Sequence, residues 1–134
     1  MKELRTPALI LDKDRLQANL DRMAARARKL KVNLRPHMKT AKSIEVARLA
    51  TQGQSGGITV STLAEAEYFA RAGLTDILYG VGITPDKLDD IAAVQLLGAE
   101  LIMILDNPDT ALAVAERTKT LSGPFRFLIE IDSG

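Results

Sequence analysis

Arg35, His37 and Lys39 occupy alternate positions in the run Asn33-Leu34-Arg35-Pro36-His37-Met38-Lys39-Thr40-Ala41-Lys42-Ser43. Alternate side chains of a β-strand point to one face, so a short strand over 33–39 carries three basic groups on one side. Such a face is foreign to a hydrophobic core. Two readings fit it. One is a solvated edge strand, whose charges discourage further pairing. The other gives Lys39 a chemical role. A lysine partly buried at the end of the first strand of a closed α/β layer has its ammonium form disfavoured, and the neutral amine can then form an imine with a carbonyl compound. Other candidates at the ends of expected strands are Thr40, Ser61, Thr62, Tyr79, Asp106, Glu130 and Asp132. Most have plainer roles available. Thr62, Asp106 and Asn107 read first as helix caps, Tyr79 as a core ring with its hydroxyl at the rim, and Glu130 and Asp132 as partners for lysines.

The elements that must position these residues follow from periodicity and punctuation. Ala8-Leu9-Ile10-Leu11 after Pro7 reads as a short strand. Asp12 or Asp14 caps a helix whose apolar face is Leu16, Leu20, Met23, Ala27 and Leu30, with the arginines largely elsewhere. After the basic strand, Ser43 caps a helix through Ala50, and Gly53 stops it. Gly57–Ser61 is a β-branched strand, and Thr62-Leu63-Ala64-Glu65 is a capping box that opens a helix ending at Gly73. Asp76–Gly80 is the next strand. Thr84-Pro85 starts a helix closed by Gly98. Glu100–Leu105 is apolar apart from its first residue, as in a strand covered on both faces. Asn107-Pro108 starts the last helix, ended by Gly123-Pro124, and Arg126–Asp132 is a strand with Glu130 and Asp132 on one face.

Helix-ending glycines at 53, 73, 98 and 123 mark a repeated strand–helix unit, which argues for parallel strands joined by crossovers. An open doubly wound sheet and an incomplete (β/α)8 barrel both satisfy this pattern. A whole barrel needs about 250 residues, more than the 134 here. No Gly-x-Gly-x-x-Gly follows any strand, and Gly80-Val81-Gly82 is only a distant match, so a dinucleotide fold has little support. In both architectures ligands sit at the carboxyl ends of the strands.

Composition removes several classes. The net charge of +1 gives no electrostatic basis for nucleic acid or anionic membrane. Without cysteine, and with a single histidine, neither a disulfide framework nor a self-contained zinc site is available. The amino terminus lacks the apolar core of a signal peptide, and no apolar run reaches the ~18–20 residues of a membrane span. A cytoplasmic protein is the expectation.

At Arg35-Pro-His-Met-Lys-Thr-Ala-Lys42 the sequence resembles the D-threonine aldolase and D-serine dehydratase family. These are pyridoxal-phosphate enzymes of fold type III with an alanine-racemase-like N-terminal barrel. The likeness extends through Thr6-Pro7-Ala8-Leu9-Ile10-Leu11-Asp12, Glu65-Ala66-Glu67, Asp76-Ile77-Leu78 and the Glu-x-Asp-x-Gly of Glu130–Gly134. The resemblance implies an α/β fold in which about five parallel strands alternate with helices as the N-terminal part of a (β/α)8 barrel over 13–134. Residues 1–12 would be a strand segment that joins a β domain elsewhere in the family.

The resemblance also implies pyridoxal 5'-phosphate as cofactor and Lys39 as its internal-aldimine lysine and later as a base; by position alone, His37, Thr40 and Tyr79 are expected as cofactor-binding residues. Arg35, deeper in the barrel, would be structural. The substrate would be a D-amino acid, cleaved as by an aldolase or dehydrated to a keto acid and ammonia. The alternatives are an amino-acid racemase of the same fold and a non-catalytic, cofactor-binding half-barrel. A divalent metal belongs to the full-length family, with its ligands outside these residues; so do the phosphate-cradling loops. Ala41 stands where the family often has histidine, and the arginine usual after Asp-x-Gly is missing. The 134-residue chain alone is therefore expected to be inactive. Its open strand edges and apolar faces favour a homodimer or other self-association.

Overall fold

A computed structural model describes residues 5–54 and 57–134. The chain divides into two compact units, Met1–Asn33 and Leu34–Gly134. In the first, helix α1 spans Lys13–Leu30. Asp12 caps it by accepting the Arg15 amide, and Lys31 closes it with φ +55°. Its least exposed residues are Leu16, Leu20, Ala24 and Ala27, whereas Met23 and Leu30 of the expected apolar face are about half exposed. Residues 8–11 form no strand, and Leu9, Ile10 and Leu11 are all exposed. A strand needs a partner for its amides, and no described strand pairs with this segment. Residues 1–4 of the expected strand segment lie outside the described residues.

The second unit alternates helix and strand: α2 (Ile44–Thr51), β1 (Ile58–Val60), α3 (Leu63–Arg71), β2 (Asp76–Gly82), a 3-10 turn (Pro85–Lys87), α4 (Leu88–Gln95), β3 (Glu100–Leu105), α5 (Pro108–Thr118) and β4 (Arg126–Ile129). Ser43, Thr62 and Asn107 cap α2, α3 and α5 through their side chains. Gly53, Gly73, Gly98 and Gly123, just beyond the helices, all have positive φ, as left-handed helix stops require. The four strands are parallel and lie in the order β1-β2-β3-β4. A doubly wound sheet reverses its strand order at a switch point. This sheet does not reverse, so of the two architectures it is the partial barrel.

One face of the sheet is dry. Ile58 and Val60 of β1, Ile77 and Tyr79 of β2, and Leu101 and Met103 of β3 pack with Phe69, Leu88, Ile91 and Val114 from the helices. Burying each large aliphatic or aromatic side chain there contributes about 1.5–3 kcal/mol. Residues of the opposite face are less covered: Leu78, Ile102 and Ile104 are half-buried and Leu128 is exposed. The helices therefore cover one side, and the other side is the one that a barrel would enclose.

The expected strand over 33–39 is reduced to a single bridge, His37 to Thr59. Its two hydrogen bonds run from the Thr59 amide to the Pro36 carbonyl and from the Met38 amide to the Thr59 carbonyl, both 2.9 Å. Upstream, the next parallel bridge would need an amide from residue 36, and proline has none. Downstream, the Met38 carbonyl accepts the Lys42 amide at 2.9 Å, which curls residues 38–41 into a turn. At the other end of the sheet β4 stops at Ile129. Glu130 adds one more amide bond to the Leu105 carbonyl, at 2.8 Å, but Glu130 and Asp132 lie beyond the strand.

Candidate functional site

Lys39 lies in the turn that follows the His37 bridge, at the carboxyl end of β1. The expected partial burial is not found: Lys39 and Thr40 are both exposed. Among the described residues the Lys39 side chain has no ion-pair partner. Its backbone amide donates to His37 Nδ1 at 3.2 Å. A backbone N–H can only donate, so Nδ1 is the bare nitrogen of a neutral ring and the proton sits on Nε2. Nε2 lies 3.3 Å from Ser61 Oγ and therefore donates to that hydroxyl.

Gly80 of β2 forms the floor beside this ring. A Cβ at Gly80 would stand 2.8 Å from Thr59 Cγ2 and 3.9 Å from His37 Nε2. The β2–β3 register shifts between Leu78 and Gly82, so a strand irregularity adjoins the His37 ring, a common position for such features.

Two ion pairs brace the segment. At the lower end Arg35 grips Asp76 with two hydrogen bonds, Nη1 to Oδ1 at 2.7 Å and Nη2 to Oδ2 at 3.0 Å, a fork geometry that suits guanidinium and carboxylate. At the upper end Lys42 Nζ reaches Glu65 Oε1 at 3.0 Å. Glu65 is buried at 8% exposure, and its other oxygen accepts the Ser61 amide at 2.9 Å. Burial pushes the Glu65 carboxyl up. The Ser61 amide and the Lys42 ammonium outweigh that effect and hold it below the ordinary glutamate value.

The remaining candidates separate. Tyr79 is buried in the helix-side core, and its hydroxyl accepts from Lys87 Nζ at 3.1 Å; it is not brought together with His37 and Lys39. Thr62 caps α3. Asn107, not Asp106, caps α5 by accepting two amides. Asp106 instead lines a cleft of about 180 Å3 with Leu105, Pro108 and Ile129. Neither Glu130 nor Asp132 meets a lysine among the described residues; Asp132 accepts the Gly134 amide. Also among the described residues, no three His, Asp or Glu side chains gather as a metal site, and no helix is long and apolar enough to cross a membrane. Sequence reasoning gave Glu65 a capping box and a place in the Glu65-Ala66-Glu67 likeness, but no part in the site. Its position three residues after the cap was the available signal, while its burial and its reach to Lys42 join residues more than twenty positions apart.

The parallel sheet, wound without reversal, and a lysine turn at its carboxyl edge define the opening section of a β/α barrel. Residues 11–134 match the family described as alanine racemase, N-terminal domain, and the chain belongs to that family. It is 43% identical over 130 residues to D-threo-3-hydroxyaspartate dehydratase of Delftia sp., covering 97% of this chain and 34% of that protein. It is 36% identical over 112 residues to D-serine dehydratase of Dictyostelium discoideum, covering 80% of this chain and 28% of that one. With D-threonine aldolase of Arthrobacter sp. the identity is 31% over 130 residues, covering 96% and 34%. Among solved structures, a mutant of D-threo-3-hydroxyaspartate dehydratase superposes with TM-score 0.92 at 43% identity, over 98% of this chain and 34% of that one. D-threonine aldolase from Filomicrobium marinum does so with TM-score 0.83 at 32% identity, over 97% and 35%. The chain thus spans about a third of the length of the relatives it matches.

Proposed function

We propose that the chain is the lysine-bearing part of a pyridoxal-phosphate-dependent lyase acting on β-hydroxy D-amino acids, with Lys39 as the residue that holds the cofactor. The observation that carries this reading is Lys39 itself: an exposed amine with no ion-pair partner among the described residues, at the carboxyl edge of the sheet. The residues around it suit the group. An amine combines with an aldehyde in its neutral form, and no carboxylate among the described residues pairs with Lys39 to hold the ammonium form. The substrate class follows from chemistry common to the relatives' names: serine, threonine and 3-hydroxyaspartate all carry a hydroxyl on Cβ.

When bound, pyridoxal phosphate supplies an electron sink for charge developing at Cα. Lys39 Nζ would hold the cofactor through its carbonyl carbon and would be the group that takes or returns a proton. His37 lines the site with its Nε2 proton directed to Ser61 Oγ. Thr40, exposed beside Lys39, is a second polar group for the cofactor.

Titration of the chain with pyridoxal phosphate, followed by visible absorbance, tests this reading. Saturable one-to-one binding that Lys39→Ala abolishes is expected. Equal binding by Lys39→Ala would overturn it.

A further inference from the structure

We infer that Glu65 is the positioning residue for Lys39: its buried carboxylate ends the strand and fixes the turn that presents the lysine. The inference rests on the reading of Lys39 as the cofactor-holding residue. The argument begins with hydrogen bonds that are not made. To continue the ladder one bridge beyond His37, the Ser61 amide would donate to the Met38 carbonyl. Glu65 Oε2 takes that amide instead, at 2.9 Å. The Met38 carbonyl is left for the Lys42 amide, and the chain turns between them, carrying Lys39 at the bend.

The turn carries strain. Lys42 has φ +45°, a conformation uncommon for a residue with a side chain. What holds it there is the pair with Glu65, Nζ to Oε1 at 3.0 Å. One carboxylate thus grips both sides of the lysine turn, Ser61 just after β1 and Lys42 before α2. It is anchored in turn by its own amide on the Thr62 cap, at 3.1 Å. A capping glutamate ordinarily reaches back to the cap residue's own amide. Glu65 reaches one residue further, to Ser61, whose hydroxyl orients the His37 ring. The same carboxylate therefore places both groups that flank Lys39. The arrangement serves more than helix capping, because capping does not require Lys42 or a buried carboxylate.

Amide hydrogen exchange on the cofactor-free chain tests the inference. Glu65→Ala is expected to speed exchange at Lys39, Lys42 and Ser61 roughly tenfold, the effect of losing one charge-assisted hydrogen bond. Amides of β3 should stay at wild-type rates. Lys42→Met should speed Lys39 and Lys42, while Lys42→Arg, which keeps a cation in reach, should restore protection. Unchanged exchange at Lys39 and Lys42, or equal acceleration throughout β3, would overturn the inference. Where Glu65→Ala fails to fold, Lys42→Met decides the matter, since the Lys42 side chain is 61% exposed and its loss leaves the core intact. Cofactor labelling of the wild-type chain at Lys39 is measured separately. Its failure would count against the cofactor reading, whereas the exchange result speaks to Glu65 alone.

Discussion

Replacing Gly57 by alanine probes the closest approach in the site's foundation. A Cβ built there would lie 1.8 Å from the Asp76 carbonyl oxygen and 2.5 Å from its carbon. Both are backbone atoms at the start of β2 and have no side-chain freedom. Reaching the 3.4 Å of ordinary contact requires a displacement of about 1.6 Å between β1 and β2, about a third of the ~4.8 Å strand spacing. The Ile58–Ile77 pairing would open locally. Overpacking of this kind costs about 1–3 kcal/mol, and one lost ladder bond adds about 1 kcal/mol. A loss of about 3 kcal/mol is therefore expected, a large part of the ~5–15 kcal/mol typical of a domain. Because Thr59 carries both hydrogen bonds of the His37 bridge, the lysine turn would move as well. Gly82→Ala is the control: it lies in the same sheet, without positive φ and with nothing within 4 Å of its Cβ. It should change stability by no more than about 0.5–1 kcal/mol, in the stabilising direction. Urea denaturation of both variants gives the comparison through the shift in midpoint at constant slope. Equal midpoints for Gly57→Ala and Gly82→Ala would refute the reasoning.

Other expected outcomes follow from the same contacts. Arg35→Met should cost about 1 kcal/mol, and a double-mutant cycle with Asp76→Asn should return a coupling of similar size, since the pair is bidentate yet partly solvated; additive single losses would show that the fork contributes nothing. Glu65 links stability to pH. Its folded value lies below the ordinary 4.5, so its contribution is full above that value and disappears as pH falls through the folded value. The stability difference between wild type and Glu65→Gln, measured by denaturation across the acid range, should therefore shrink on acidification; a constant difference would contradict the assignment. Asn107→Ala should cost about 1 kcal/mol as a lost helix cap, against less than about 0.5 kcal/mol for exposed Asp106→Ala, with thermal melting as the measurement.

Much of the scaffold was legible because local chemistry decides it. Ser43, Thr62 and Asn107 are small polar residues ahead of apolar periods, and glycines at 53, 73, 98 and 123 release the chain from each helix. Glu100–Leu105 became β3 with unchanged bounds because an apolar run of that length, between turn signals, has few alternatives. The details of the site were less legible because they depend on distant partners. The strand through His37 is cut to one bridge by the missing Pro36 amide, which the sequence displays, and by Glu65, which lies more than twenty residues away. The face taken by Tyr79 is set by the pairing of β2 with β1 and by the shift beside Gly80. The exposure of Lys39 depends on what stands over the carboxyl edge, a property of packing rather than of any local pattern.

Borohydride reduction of the chain mixed with one equivalent of pyridoxal phosphate, followed by digestion and mass mapping, tests the central claim most directly. Lys42 and the surface lysines serve as internal controls. The account predicts that the pyridoxyl mass concentrates on Lys39. A label spread evenly over the lysines, or absent from Lys39, would contradict it.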